Sequence, residues 1–243
     1  MKHKITILIF ILSLINLYAE GGPPMFTDGP GTPGDGHWEI NSAITGELRA
    51  SQHSYALPQI DINYGLGNDI QLKVETSYVH IDDVDKSANG IGDILAGVKW
   101  QFYNANDWML SVYPQMGFAP IKNSVVQGLA EYDTITILPL EITKKLDDYW
   151  ITTEIGYMKV DHRDDRMKYG LILGYDVNKA LTIMSEIYSD QQINKRDETD
   201  LVNFGLTYSL NTQIGLLLSV GKEIQTSQSQ RATLFYSGVQ ILF

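Results

Sequence analysis

Cysteine is absent from all 243 residues. That excludes disulfide staples, a lipid-modified cysteine anchor and thiolate metal sites. Positive charge is scarce as well: 18 Lys and Arg stand against 29 Asp and Glu, a formal net charge of -11. A surface of that sign repels phosphates and argues against a nucleic acid partner. No apolar run after Ala19 approaches the roughly 20 residues of a spanning helix. Glycine-rich phosphate loops, zinc spacings and calcium-loop motifs are missing too, so neither a cofactor nor a metal is expected. Nor does any low-complexity linker divide the chain.

What the chain has is alternation. Ile70, Leu72, Val74, Thr76 and Tyr78 fall on one face of an extended segment, with Gln71, Lys73, Glu75 and Ser77 on the other. Ile60, Ile62 and Tyr64 precede it in the same manner, and Ile94, Ala96, Val98, Trp100 and Phe102 follow. This period of two predicts half-buried strands rather than helices. Twelve are expected, beginning near Trp38, Tyr55, Asp69, Ile91, Asp107, Asp133, Tyr149, Arg166, Ala180, Thr199, Thr212 and Arg231.

The connectors alternate in length. Tight joints are expected at Gly65 to Asn68, Asn104 to Asn106, Lys145 to Asp148, Val177 to Lys179 and Leu210 to Asn211. Longer polar links separate them, at Ile81 to Gly90, Ala119 to Tyr132, Val160 to Asp165, Asp190 to Glu198 and Lys222 to Gln230. Short turns at one end and long loops at the other are the habit of an antiparallel transmembrane β-barrel. The link near Arg49 to Ser54 is short for that scheme. Trp100, Phe102, Trp108, Tyr149, Tyr175, Tyr208 and Phe243 flank the short joints, and Tyr78, Phe118, Tyr157 and Tyr169 the long links, as two interfacial belts would require.

The two ends fit an exported barrel. Lys2 and Lys4 precede an apolar run from Ile5 to Tyr18 that closes on Ala19, the layout of a signal peptide over residues 1–19. Residues 20–36 are rich in Gly and Pro and are either a flexible leader or a plug in the barrel mouth, with Phe26, Asp28 and Pro30 as its candidate contacts. Residues 37–243 would form the barrel. The closing strand ends on Phe243 and resembles those of bacterial outer-membrane barrels, whose terminal aromatic is read by the barrel-assembly machinery. An even strand number would place both termini on the periplasmic side.

Charged residues inside the strands share the face opposite the apolar stripe: Glu39, Asp61, Lys73, Glu75, Asp93, Lys99, Glu141, Glu154, Lys168 and Glu186. Toward lipid each would cost about 2–4 kcal/mol at the midplane if basic, and less if acidic. Toward a wet lumen they can pair and stay hydrated. They form either a structural ladder that fills a narrow barrel, helped by Trp150 and Tyr113, or a cation-favouring solute path. Gly97, Gly156, Gly170, Gly174, Gly205, Gly215 and Gly221 share that face, and for most of them strand bending is the expected role.

Pro24, Phe26, Thr27, Asp28, Gly29, Pro30, Gly31 and Thr32, then Gly36 to Asn41, closely resemble the start of the MetA-pathway phenol degradation family of outer-membrane proteins. Leu57, Pro58, Asp61, Asn63 to Gly67, Gln71 and Leu72 continue the likeness, as do Gly90, Gly92, Asp93 and Gly97 to Trp100. The resemblance implies an outer-membrane barrel of a kind described as transporters, and identifies no substrate. A passive, cofactor-free channel for small molecules, aromatic or apolar ones included, is the expectation. The alternatives are a structural or adhesive barrel with an occluded lumen and a hydrolase using Asp82, Asp83, Asp161, His162, Asp164 and Asp165. A serine hydrolase is disfavoured because no histidine sits mid-strand beside a serine, and the loop acids read more simply as a solvated loop face or weak divalent-binding carboxylates, so the chain is not expected to be an enzyme.

Overall fold

The computed structural model describes residues 22–84, 86–130, 134–193 and 197–243. The expected signal peptide lies outside them. The described chain forms β1 (Trp38–Leu48), β2 (Gln52–Leu66), β3 (Ile70–Asp83), β4 (Lys86–Ala105), β5 (Trp108–Val112), β6 (Gln115–Phe118), α1 (Ser124–Gln127), β7 (Thr134–Leu146), β8 (Tyr149–Val160), β9 (Arg166–Asn178), β10 (Leu181–Gln192), β11 (Glu198–Ser209), β12 (Ile214–Thr226) and β13 (Thr233–Leu242). Consecutive strands pair antiparallel, except that β5 and β6 do not pair with each other. β1 then pairs with β13 from Glu39 opposite Leu242 to Leu48 opposite Thr233. The sheet is thereby a closed barrel with no free edge.

Thirteen strands make twelve staves, because β5 and β6 both lie between β4 and β7. Proline has no amide hydrogen to give the ladder, and the stave breaks at Tyr113 and Pro114. Nearby backbone partners repair the gap: Tyr113 N–H donates to the Pro139 carbonyl at 3.1 Å, and the Pro114 carbonyl accepts from Val98 N–H at 3.0 Å. The break turns the Tyr113 ring to a fully buried position, with Lys99 Nζ 4.6 Å from its centroid.

Alternation decides which side chains face out. Along β3, Leu72 and Val74 are exposed while Gln71 and Lys73 are buried. The same inversion recurs around the ring, where Leu138, Ile155, Leu171, Ile187, Phe204 and Val220 are exposed and Glu141, Glu154, Glu186 and Asn203 are buried. An apolar exterior around a polar interior is stable only where lipid replaces water outside. Trp100, Phe102, Trp108, Tyr149 and Phe243 stand exposed at the short-turn end, and Tyr78, Phe118, Tyr157 and Tyr169 at the other. Among the described residues no helix is long and apolar enough to cross a membrane.

One expected loop is strand instead. Beyond a bulge, β3 and β4 stay paired to Asp83 opposite Lys86, so most of the link expected from Ile81 to Gly90 is strand. Polar side chains at the loop end of a barrel read as loop in sequence, yet they pair as readily as apolar ones once the hairpin projects beyond the lipid. His53 and His80 consequently lie within β2 and β3.

Candidate functional site

Residues 22–30 pair with no strand and lie inside the barrel, and residues 32–36 run on to the β2–β3 turn, where Thr32 donates to the Asn68 carbonyl at 2.8 Å, Asp35 accepts from Gly67 N–H at 2.8 Å and Gly36 N–H donates to the Gly65 carbonyl at 3.0 Å. Glu186 on β10 accepts the backbone N–H of Phe26 at 3.2 Å and of Thr27 at 2.6 Å, and Glu154 on β8 accepts that of Asp28 at 2.9 Å. Carboxylates bonded to backbone N–H groups make charge-assisted contacts, stronger than neutral ones. From β4, Lys99 reaches the Asp28 carboxylate at 3.0 Å and the Gly29 carbonyl, and Gln101 donates to the Pro30 carbonyl at 2.9 Å. Ser219 on β12 donates to the Pro24 carbonyl at 2.9 Å. Met25 completes the seat by packing with Trp150, Ile172 and Met184, an apolar cluster within the lumen. Burial alone would raise the Asp28 carboxyl, but Lys99 and Lys73 outweigh it and hold it below its ordinary range.

Four of the seven inward glycines are close-approach positions, a role other than the strand bending expected for most: a Cβ on Gly97 would stand 2.8 Å from the Tyr113 ring, and the other three are Gly170, Gly205 and Gly174. A Cβ on Gly170 would stand 2.0 Å from Thr27 Oγ1, one on Gly205 2.6 Å from Met25 Cε, and one on Gly174 2.0 Å from the Trp150 ring. The first two make room for the segment and the third for the ring beneath it.

The wall formed by β1 to β3 is organised differently. Asn41 donates to Glu39 at 3.0 Å and to Asp61 at 3.2 Å, and Asn63 to Asp61 at 3.1 Å. Lys73 bridges Asp61 at 3.5 Å and Glu75 at 3.1 Å, and Gln59 donates to Glu75 at 2.7 Å. These side chains bond to one another and give the segment no hydrogen bond, although the Lys73 charge still acts on Asp28. Two cavities result. The one toward the short turns is lined by Glu39, Asp61, Asn63, Gln71 and Lys99, and has a volume of about 170 Å³. The one toward the loops, with Glu47, Glu75, Phe26 and Tyr188 on its lining, measures about 440 Å³. Gly22, Pro23, Asp28 and Lys73 line both.

Of the lumen candidates, Lys99, Glu141, Glu154 and Glu186 are assembled around the segment, with Lys99 3.3 Å from Glu141 and Ser111 donating to Glu141 at 2.5 Å. Glu39, Asp61, Lys73 and Glu75 belong to the separate network on β1 to β3, and Lys168 lines the larger cavity. Asp93 lies in a bulge where Thr76 pairs with Ile94 and Tyr78 with Ile91. The neutral partners Asn41, Gln101, Asn203 and Ser219 were not singled out by sequence, although their parity along the strands put them on the same face.

The acidic residues considered for hydrolysis are not brought together. Asp82 and Asp83 end β3, whereas Asp161, His162, Asp164 and Asp165 lie beyond β8, with β4, β5, β6 and β7 between. Asp165 accepts from the Tyr157 hydroxyl, and Asp164 from Gln192 at 3.2 Å. Among the described residues no group of three or more His, Cys, Asp or Glu is placed to hold a metal ion.

No protein-family model and no curated protein sequence matches the chain. Solved structures do. An outer membrane channel from Pseudomonas putida F1 superposes with a TM-score of 0.74 at 11% identity, covering 92% of this chain and 100% of that one. The NanC porin gives 0.63 at 12% identity over 82% and 98%, and the KdgM porin 0.59 at 12% over 84% and 99%. At these identities the likeness is one of fold: the chain has the closed antiparallel barrel of outer-membrane porins and channels.

Proposed function

We propose that the chain is a passive, cofactor-free outer-membrane channel for small molecules, aromatic or apolar ones included, and that residues 20–36 act as a plug in its lumen. The observation that carries this reading is the way residues 24–30 are held: by side chains of the wall and not by strand pairing, between two cavities that both reach Lys73. Such a segment can leave without opening the barrel. The structural likeness to an outer membrane channel at a TM-score of 0.74 supports the same reading. Processing after Ala19, membership of the MetA-pathway phenol degradation family, and recognition of Phe243 by the barrel-assembly machinery belong to this proposal. So does a periplasmic position for both termini, which is supported by the mutual hydrogen bonds of Trp38 and Phe243 at 2.7 and 3.1 Å on the short-turn side.

A filled structural barrel is the second reading, favoured by the apolar cluster of Met25, Trp150, Ile172 and Met184 within the lumen. Single-channel conductance of the refolded mature protein in planar bilayers separates the two. Larger or longer steps in a variant lacking residues 20–36 are expected. Silence in both forms, with folding confirmed by heat-modifiable mobility, would overturn the channel and favour the filled barrel.

A further inference from the structure

We infer that the larger cavity is a binding site for an organic cation carrying an aryl or short alkyl body. Its volume of about 440 Å³ lies in the range of small-molecule sites. Phe26 forms part of its lining, and the exposure of this residue is anomalous. Its ring is 48% exposed inside a polar lumen, while Met25 and Thr27 on either side are 7% and 0% exposed. The backbone hydrogen bonds to Glu186 fix the orientation, and Tyr188 stands 5.5 Å away between ring centroids. Tyr236 brings further aromatic surface to the same lining.

The sign of the guest follows from how the charges are presented. Glu75 and Glu47 show 25% and 43% of their side chains, whereas their partners Lys73 and Arg49 are withdrawn to 9% and 13%. Lys168, also on the lining, is engaged by the Tyr188 hydroxyl and by the charge of Glu154. The lining thus carries four carboxylates, Asp28, Glu47, Glu75 and Glu154, against two lysines, Lys73 and Lys168, each already engaged by an acid. A cation that can lie over a ring face and beside a carboxylate uses both features. An aryl anion would meet Glu75 and Glu47, and a bare metal cation would leave the Phe26 ring unused.

The inference rests on the docked position of the segment and gives the proposed channel a solute class. Isothermal titration of the refolded mature protein in detergent tests it, with benzyltrimethylammonium, tetramethylammonium and 3-phenylpropionate as probes. Benzyltrimethylammonium should bind most tightly. Phe26→Ala should weaken it roughly 2- to 30-fold, the span of a cation–π contact, and the isosteric Glu75→Gln should weaken it while sparing the fold. Equal or tighter binding of 3-phenylpropionate would overturn the site, as would unchanged affinity in Phe26→Ala or in the barrel lacking residues 20–36. The titration needs no membrane. Binding without conductance refutes the channel and keeps the site, and conductance without binding refutes the site alone.

Discussion

The two sides of the lumen use the same residue types to opposite ends. On β4, β8 and β10, Lys99, Glu154 and Glu186 spend their hydrogen bonds on the segment at Phe26 to Gly29. On β1 to β3, Glu39, Asp61, Lys73 and Glu75 spend theirs on one another through Asn41, Asn63 and Gln59. One wall is a fastening and the other a finished surface. Where the side chains are spent on one another, residues 24–30 find no hydrogen bond, and both cavities reach Lys73 on that side. A passage beside the plug, if it widens, widens along β1 to β3.

Breaking the fastening at Lys99 should give the largest effect. Lys99→Met leaves Asp28 and Glu141 without the cation that lies 3.0 and 3.3 Å from them. Removing one partner of a buried ion pair costs about 3–5 kcal/mol, because the charge left behind stays desolvated. The segment can escape that cost by undocking. We therefore expect long-lived open states in bilayer recordings and new protease cleavage within residues 22–36. Unaltered gating and protection would remove Lys99 from the fastening.

The same contact can be titrated. The Asp28 carboxyl titrates below its ordinary range when docked, so it binds protons more readily once released. Its contribution to docking is present above the ordinary carboxylate range and is lost as pH falls through the docked value. Opening should become more frequent on acidification below about pH 4, where free Asp titrates. In Lys99→Met, burial is opposed by less positive charge, so the docked value rises toward the free one and the acid-dependent part of the opening should shrink. Recordings across a pH series decide both points.

The barrel was legible in the sequence because a period of two repeated over many segments is a redundant signal. Losing one segment, as at the Tyr113 and Pro114 break, does not change the architecture. The charged face was legible for the same reason, since lipid forbids Glu141 or Glu154 the other side. What parity could not show is which inward residues meet which. Glu154 and Glu186 reach backbone groups of Phe26, Thr27 and Asp28, which carry no side-chain signature. Trp150, Ile172 and Met184 look like lipid-facing residues in composition and differ only in parity. Gly170 offered a bending role and a close-approach role, and only the position of Thr27 decides between them. Gly170→Ala places a methyl where Thr27 stands, and overpacking of this kind costs about 1–3 kcal/mol. Opening should rise less than in Lys99→Met, and the barrel's own heat-modifiable mobility should be unchanged.

The opposite wall supplies the smallest expected effect on docking and the sharpest form of the comparison. Lys73→Gln removes a base that bridges Asp61 and Glu75 and donates no hydrogen bond to the segment. Its charge still reaches Asp28 through space, so a slight increase in opening is allowed. The principal change should be in permeation, because Asp61 and Glu75 lose the cation that balances them where the two cavities meet. Reversal potentials under a salt gradient should shift toward greater cation preference, while open probability stays near that of the parent protein. If Lys73→Gln instead opens the channel as strongly as Lys99→Met, the two walls are one fastening and the distinction between them fails.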